Sequence, residues 1–287
     1  MGAEDGDIKR LMHLSDRLTS AAFDVLKDLK DSKASLTLGS EVKNITILER
    51  ATNFNGRKEI IFTSEGPINV DMFFNIPEIQ KLLNPENKIV IITHYNPDGD
   101  AIGSSLGLKH FLEQLGLEAD VIVPNDFPKF LKWMPGAKSI IIADYKRKIA
   151  GESIYNADII FVLDFNASHR SGNLVGPWLE KARAKKILID HHQQPDHFDY
   201  IYSDTSIPAS SQMVYHFIEA LNKENLVTKE IADCLYTGIM TDTGGFRFRS
   251  TSATTHRIVA NLIEKGADPA MITSNGLDTN TVSRLQL

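Results

Sequence analysis

Cysteine, long apolar runs and excess positive charge are the features that this sequence lacks or nearly lacks. Its single cysteine, Cys234, excludes a disulfide within the chain and is typical of a reducing compartment. No apolar run reaches the length that crosses a membrane, and the acidic residues 1–7 lack the apolar stretch of a signal peptide. These absences predict a cytoplasmic protein with no membrane partner.

The balance of charge narrows the choice of partners. With 31 Lys and Arg against 37 Asp and Glu, the net charge is −6, which argues against a protein that holds long nucleic acid mainly by charge. A short nucleotide bound at a metal ion is compatible with this charge. The hydrophobic content of 42% is that of an ordinary globular protein, and 287 residues suffice for one large or two medium domains.

One stretch in the first half of the chain carries the first candidate ligands. The apolar run Ile89–Ile92 predicts a strand that is buried on both faces, as in a parallel sheet. A loop with His94, Asp98 and Asp100 follows it, and the apolar positions of residues 101–115 predict a helix. Open α/β sheets bind their ligands beyond the carboxyl ends of the strands, where this loop is expected.

Short apolar runs then alternate with helical stretches, which predicts βαβ units. The predicted strands are residues 88–93, 120–123, 139–143, 158–163 and 186–189. Beyond residue 210 the predicted helices are residues 211–221, 229–241 and 253–265, and the last of them ends at Gly266. We therefore predict an α/β domain over residues 75–287, in which helices flank a mostly parallel sheet.

The N-terminal residues 1–74 follow a different pattern. Apolar residues at three- and four-residue spacing predict a helix over residues 8–30, and residues 42–48 and 59–63 predict a β-hairpin. No cluster of chemically reactive side chains occurs in this segment. We predict an α+β extension of unknown role that serves packing or oligomerisation, which is compatible with a homodimer.

Three further clusters of Asp and His follow apolar runs. These are Asp164, the tripeptide Asp190-His191-His192, and Asp242. Because parallel strands end at the same edge of a sheet, we expect the side chains that follow them to converge. Carboxylates packed together repel one another and are costly to desolvate, and a divalent cation offsets this cost.

The side-chain types predict which ions bind. Carboxylate and imidazole ligands together suit Mn²⁺, with Mg²⁺, Fe²⁺, Co²⁺ or Zn²⁺ as alternatives, and the lack of thiolates argues against a structural zinc site. The ligands outnumber what one ion holds, so we expect two ions about 4 Å apart that share a carboxylate and a bridging hydroxide. Such a pair favours hydrolysis of phosphoesters or phosphoanhydrides.

Structural roles are open for several of the same residues. Asp98 could cap the following helix. Arg170 could meet a phosphate or lie in a solvated loop. Ser210 and Ser211 begin a helix, whose N–H groups could bind an anion, or they could cap it. Phe246–Arg249 alternates as an edge strand does, which suits either packing or stacking on bases.

The motif at residues 94–104, His-Tyr-Asn-Pro-Asp-Gly-Asp-Ala-Ile-Gly-Ser, and the Asp190-His191-His192 tripeptide resemble the DHH phosphoesterase superfamily. The resemblance covers residues 75–287, with four motifs in the family's order. It is greatest to bacterial nanoRNase/pAp phosphatases, which are similar to RecJ exonucleases and family II pyrophosphatases. The Gly-Gly-Gly-His motif of the family's C-terminal substrate-binding domain does not occur, so we expect this chain to lack that domain.

The resemblance implies a role for each candidate residue. Two Mn²⁺ ions would be bound, with Mg²⁺ or Co²⁺ as alternatives. The first ion would be held by three side chains, His94, Asp98 and Asp164. The second would be held by four side chains, of which Asp164 is the bridge: Asp100, Asp164, His191 and Asp242.

The remaining candidates concern catalysis and the substrate. The resemblance implies that His192 faces the substrate phosphate and that Asp190 orients its neighbours. We also predict that Arg170 and Ser211 contact the substrate. The implied activity is hydrolysis of short single-stranded oligonucleotides or of 3′-phosphoadenosine 5′-phosphate by a metal-bridging hydroxide. The alternatives are a cyclic or linear dinucleotide phosphodiesterase, and a non-catalytic module that binds nucleotides.

Overall fold

The computed structural model describes residues 33–38, 41–52, 58–64 and 76–276. The chain divides into two compact units, Met1–Phe74 and Asn75–Leu287. In the first unit, three strands form an antiparallel sheet in the order β1-β2-β3. They are β1 (Lys33–Leu38), β2 (Glu41–Thr52) and β3 (Lys58–Ser64). The predicted hairpin is confirmed by the pairing of β2 with β3.

The sequence predictions for this unit differ from the structure in one strand and extend beyond its described residues in one helix. The strand β1 was not predicted, and it extends the hairpin on the free side of β2. The predicted helix over residues 8–30 lies outside the described residues. The division into an N-terminal extension that serves packing or oligomerisation and a phosphoesterase domain without the C-terminal substrate-binding domain stays a prediction.

The second unit is built on a six-stranded sheet in which every neighbouring pair is parallel, in the order β6-β5-β4-β7-β8-β9. Its strands are β4 (Ile89–Ile92), β5 (Ala119–Val123), β6 (Ile141–Ile142), β7 (Ile159–Leu163), β8 (Lys185–Asp190) and β9 (Tyr200–Ser203). The described α-helices are α1 (Ile76–Leu82), α2 (Gly99–Gln114), α3 (Arg147–Tyr155), α4 (Gly172–Lys181), α5 (Ser210–Ala220), α6 (Lys229–Asp242), α7 (Ala253–Glu264) and α8 (Pro269–Gly276).

The order of the strands creates a crevice at the carboxyl end of the sheet. From β4 the chain moves outward through β5 and β6, and it then returns to place β7 on the other side of β4. The connection that follows β4 therefore leads toward one edge of the sheet, and the connection that follows β7 leads toward the other. The gap between these two strands is the switch point at which open α/β sheets bind ligands. Both strands are buried on both faces, because they consist entirely of large apolar residues.

A close helix crossing brings two distant parts of the chain to this crevice. The helices α2 and α6 cross so closely that a Cβ atom at Gly103 would lie 2.6 Å from the carbonyl oxygen of Cys234. At the start of α2, Gly99 lies against Thr241 near the end of α6. The two helices are thus antiparallel, and glycine lets the acidic start of α2 meet the acidic end of α6.

Most predicted elements of this unit are confirmed, including the mostly parallel sheet and the helices that flank it. Strand β9 was missed, because it is short and half-exposed. The expected edge strand at Phe246–Arg249 is wrong. These residues lie in consecutive turns, where Gly244, Gly245 and Phe246 all have positive φ. The hydroxyl of Thr243 accepts a hydrogen bond from the Phe246 N–H at 3.0 Å and stabilises the turn.

Among the described helices, none combines the length and the apolar character required to cross a bilayer.

Candidate metal centre

Acidic and histidine side chains from five elements converge at the carboxyl edge of the sheet. They follow β4, β7 and β8, and they lie at the facing ends of α2 and α6. Three groups have ligand atoms within 4.8 Å of one another. The groups are His94, Asp98 and Asp164; Asp164, His191 and His192; and Asp100, His191 and Asp242. The structure therefore brings together side chains from all four sequence clusters.

Asp164 lies at the centre of this arrangement. Its Oδ2 atom is 3.4 Å from His94 Nε2, and its Oδ1 atom is 3.4 Å from His191 Nε2. The Ser210 hydroxyl also donates to Oδ1 at 3.0 Å. The backbone of Asp164 has φ of 65°, a left-handed conformation that few non-glycine residues adopt and that recurs at functional sites. This turn after β7 aims the carboxylate between the two histidines.

Backbone carbonyls orient the two histidines next to Asp164. His94 Nδ1 lies 2.9 Å from the carbonyl oxygen of Tyr95, and His191 Nδ1 lies 3.2 Å from that of Ile207. A carbonyl only accepts, so each Nδ1 carries the proton and donates it. In the neutral ring, the lone pair is then on Nε2, which faces the carboxylates in both cases.

Asp98 has two roles in this geometry. Its Oδ1 atom accepts hydrogen bonds from the N–H groups of Asp100 and Ala101, each at 3.0 Å, and so caps α2. The same atom lies 4.0 Å from His94 Nε2. The capping role that the sequence left open is confirmed, and it places Asp98 in the cluster as well.

The N-terminus of α5 binds the side-chain carboxyl group of Asp100. The N–H groups of Ser210 and Ser211 donate to the two carboxylate oxygens of Asp100 at 2.5 and 2.9 Å. Ser211 is fully buried, and its side chain faces Asp100. Ser211 thus lies behind a carboxylate of the cluster, and the predicted contact between Ser211 and the substrate stays a prediction.

The two other residues of the Asp-His-His tripeptide form a pair. His192 Nδ1 donates to Asp190 Oδ1 at 2.7 Å, and the His192 side chain keeps 34% of its surface exposed. Asp190 is fully buried, and its Oδ2 atom has no partner among the described residues. The hydrogen bond joins Asp190 to one of its neighbours, and the predicted orienting role of Asp190 stays a prediction.

Arg170 lies in the loop after β7. Its guanidinium donates weakly to Asn166 at 3.4 Å, and its carbonyl accepts from the Tyr95 N–H at 2.7 Å. The side chain is partly buried. The structure places this cation in the loop that follows Asp164.

The concentration of carboxylates shifts the pKa values of the cluster. Burial and then the charge of Asp164 raise the pKa of Asp100, and they raise the pKa of Asp242 to about 6. Burial alone would lower the pKa of His191, but its hydrogen bond with Asp164 and the surrounding carboxylates raise it to about 10. The site thus strongly favours positive charge.

Opposing effects act on the central carboxyl group. Burial alone would raise the pKa of Asp164, but hydrogen bonds and the charges of His191 and His94 hold it well below its usual range. Asp164 is therefore the carboxylate that the protein keeps ionised. An ionised oxygen pair flanked by two imidazole nitrogens is the donor set that divalent transition metals prefer, so the residues present fit a bound metal.

The chain belongs to the DHH family, because the model of the DHH family N-terminal domain matches residues 88–239. It is 38% identical over 189 residues to the bifunctional oligoribonuclease and PAP phosphatase NrnA of Thermus thermophilus. This match covers 66% of this chain and 53% of that protein. It is 23% identical to the cyclic-di-AMP phosphodiesterase PdeA of Listeria monocytogenes, over 86% of this chain and 38% of that protein. The chain spans about half or less of these two relatives' length.

A solved structure agrees with this membership. The crystal structure of an exopolyphosphatase-related protein from Bacteroides fragilis superposes with a TM-score of 0.71 at 41% identity. The match covers 74% of this chain and 62% of that chain.

Two residues of the site were missed as functional residues in the sequence. Ser210 was considered only for its backbone N–H group or as a helix cap, whereas its hydroxyl contacts the central Asp164. Gly238 precedes the fourth cluster by four residues, and a Cβ atom there would lie 2.8 Å from Asp100 Oδ1. A small residue one helical turn before a candidate ligand was the available signal.

Proposed function

We propose that this chain is a metal-dependent phosphoesterase that hydrolyses short oligonucleotides or 3′-phosphoadenosine 5′-phosphate. The observation that carries the proposal is the position of Asp164, whose two oxygens face His94 on one side and His191 on the other. The name of the Thermus relative, an oligoribonuclease and PAP phosphatase, supports the substrate class.

Two ions are proposed, and Asp164 is the ligand that they share. The first ion is assigned to His94, Asp98 and Asp164, and the second to Asp100, Asp164, His191 and Asp242. Mn²⁺ suits this mixed donor set, and Mg²⁺ or Co²⁺ are alternatives. When bound, such ions supply an activated water and neutralise charge on the phosphoryl oxygens.

His192 is assigned to the substrate side of the cluster. Its Nδ1 proton is held by Asp190, so the ring is fixed in orientation and Nε2 is left for the substrate. From this position a ring that carries both protons donates from Nε2 to a phosphoryl or leaving-group oxygen. Arg170 is proposed as a second contact for a phosphate, since its guanidinium has only one weak hydrogen bond among the described residues.

A substrate panel tests the proposal. The full chain is assayed with Mn²⁺ on 3′-phosphoadenosine 5′-phosphate, linear dinucleotides, cyclic dinucleotides, pyrophosphate and single-stranded DNA. We expect turnover of the first two, loss of turnover with EDTA, and a fall of 100-fold or more in His192→Ala, which is the range of general acid catalysis. Absence of any Mn²⁺-dependent turnover would instead favour a non-catalytic module that binds nucleotides.

A matched histidine controls for the loss of a paired imidazole. His216 also places Nδ1 next to a carboxylate, 2.8 Å from Glu219, but it lies on α5 and outside the cluster. His216→Ala should therefore keep the activity that His192→Ala loses.

The second candidate function is a cyclic dinucleotide phosphodiesterase. It is favoured by the match to the Listeria relative, which extends over 86% of this chain. Preferential turnover of a cyclic dinucleotide in the panel would select it. A cytoplasmic location and a homodimer stay predictions from the sequence.

A further inference from the structure

A cavity with a mixed polar and apolar lining opens at the same edge of the sheet, beside the cluster. Its volume is about 470 Å³, which lies in the range of small-ligand sites. Its lining comes from the loops after β4, β5, β6 and β7 and from the start of α4, and it includes Tyr95, Asp144, His169, Gly172 and Asn173. Residue Tyr95 follows His94 directly, so this cavity adjoins the metal centre.

Tyr95 joins the cavity to the cluster. Its carbonyl accepts the Nδ1 proton of His94, while its side chain lines the cavity and remains 49% exposed. The backbone is held on both sides: the Tyr95 N–H donates to Arg170, and the Asn96 N–H donates to the Asn125 side chain, both at 2.7 Å. Two consecutive backbone hydrogen bonds therefore hold the loop segment that carries the Tyr95 ring.

Gly172 leaves space for the aromatic ring. A Cβ atom at position 172 would lie 2.9 Å from Tyr95 Cδ2, so one edge of the ring packs directly on the glycine backbone. Gly172 also has φ of 81°, a conformation that disfavours any other residue. Together these constraints fix where the ring lies and leave the rest of its surface open.

The polar lining selects a neutral, hydrogen-bonding ligand. The side chains of Asp144, His169 and Asn173 are exposed, and no hydrogen bond joins them to another described side chain. Neither lysine nor arginine occurs among the described residues of the lining, and Asp144 repels anions. A phosphate therefore does not suit this cavity, whereas a flat heterocycle with amino and carbonyl groups does.

We propose that this cavity is a nucleobase subsite, in which Tyr95 stacks on the base and Asp144 accepts a hydrogen bond from its exocyclic amino group. The proposal rests on the proposed function, because the metal centre would hold the phosphate of the same nucleotide. A carboxylate is the acceptor that pairs with base amino groups, and aromatic stacking tolerates every base. The subsite thus favours amino-bearing bases over those that lack the group.

Binding of an uncharged nucleoside tests the subsite without metal or turnover. The EDTA-treated full chain is titrated into 2-aminopurine riboside, whose fluorescence is quenched by stacking. We expect saturable quenching that Tyr95→Phe retains and that Tyr95→Leu, which keeps an apolar side chain on Gly172, weakens about tenfold. Equal binding by Tyr95→Leu, or no saturable binding by the unaltered chain, would overturn the proposal.

Tyr155 is the matched control. It is 48% exposed, nearly as much as Tyr95, but it ends α3 and does not line the cavity. The variant Tyr155→Leu should bind the probe as the unaltered chain does. An equal loss of quenching in Tyr155→Leu would show that the probe reports nonspecific stacking, and the assignment of Tyr95 would fail.

The role of Asp144 is tested with two competitors that differ by one amino group. Guanosine should displace the probe at several-fold lower concentration than inosine, and Asp144→Asn should remove most of this difference. Equal competition by the two nucleosides in the unaltered chain would refute the role of Asp144. Nucleoside binding without any phosphoesterase turnover would support the subsite and overturn the proposed function, so the two failures are distinguishable.

Discussion

Gly238 lies against Ser211 so closely that a Cβ atom at position 238 would overlap the Ser211 hydroxyl oxygen. The same atom would approach Asp100 Oδ1 to 2.8 Å. Both neighbours are fully buried, and the Asp100 carboxylate is already held by two N–H groups of α5. The carboxylate cannot move aside without breaking those hydrogen bonds, so this glycine determines where an acidic group of the cluster lies.

The variant Gly238→Ala should therefore damage both folding and metal binding. Overpacking a close helix contact costs about 1 to 3 kcal/mol of unfolding free energy, and displacing Asp100 should weaken Mn²⁺ binding at least tenfold. Urea unfolding and calorimetric titration with Mn²⁺ measure the two effects. Unchanged Mn²⁺ affinity would contradict the positioning of Asp100 by this contact.

A second helical glycine is the matched control for that substitution. A Cβ atom at Gly151 in α3 would lie 3.6 Å from Trp178, an ordinary van der Waals distance. Because alanine favours the helix over glycine by up to about 1 kcal/mol, Gly151→Ala should be neutral or stabilising and should leave Mn²⁺ binding unchanged.

Asp164→Asn tests the proposed bridge. Asparagine tolerates the left-handed backbone at this position, so the turn after β7 should persist while one carboxylate charge is lost. We expect the number of bound Mn²⁺ ions, measured by equilibrium dialysis with elemental analysis, to fall from two to one or none, and turnover to be lost. Two tightly bound ions in this variant would refute the bridge. The exposed Asp120 supplies the control, since Asp120→Asn removes a charge outside the cluster.

The stability of EDTA-treated protein should depend on pH through His191. Its pKa is raised from 6.5 to about 10 in the folded chain, chiefly because the hydrogen bond with Asp164 outweighs the effect of burial. The charged ring therefore contributes its full stabilisation below pH 6.5, and the contribution is lost as the pH rises toward 10. Thermal unfolding across this range should show a decline in Tm that His191→Gln largely removes. A Tm independent of pH between 7 and 10 would argue against the cluster's geometry.

Asp242 should also lower the stability as the pH rises, but in a more acidic range and because its ionised form is the unfavourable one. Burial, followed by the charge of Asp164, raises its pKa from 3.8 to about 6, so its ionised form costs stability as the pH rises through that interval. In EDTA, Asp242→Asn should be more stable than the unaltered chain by about 1 to 2 kcal/mol at pH 7, and nearly equal to it at pH 4. The same variant should bind Mn²⁺ more weakly. A loss of stability at pH 7 would show that Asp242 is not under electrostatic strain.

Much of the fold was predictable from local patterns. The apolar runs of β4 and β7 are continuous because both faces of a central parallel strand are covered, and this periodicity can be read without a structure. Strand β9 and the turn at Phe246 were not predictable in this way. The strand is a short, half-exposed edge, and the turn depends on positive φ at successive residues rather than on alternation.

The amino-acid sequence by itself determined which side chains are available and that they follow strands or lie at helix ends: His94, Asp98, Asp100, Asp164, His191 and Asp242. The tertiary structure decided which atoms of these residues face one another. Hydrogen bonds to backbone carbonyls orient the rings of His94 and His191. The glycine contact between α2 and α6 sets the distance between the acidic helix ends. The tertiary structure also decided that the Ser211 N–H group binds Asp100. A buried N–H group must find an acceptor, and this carboxylate is the one within reach.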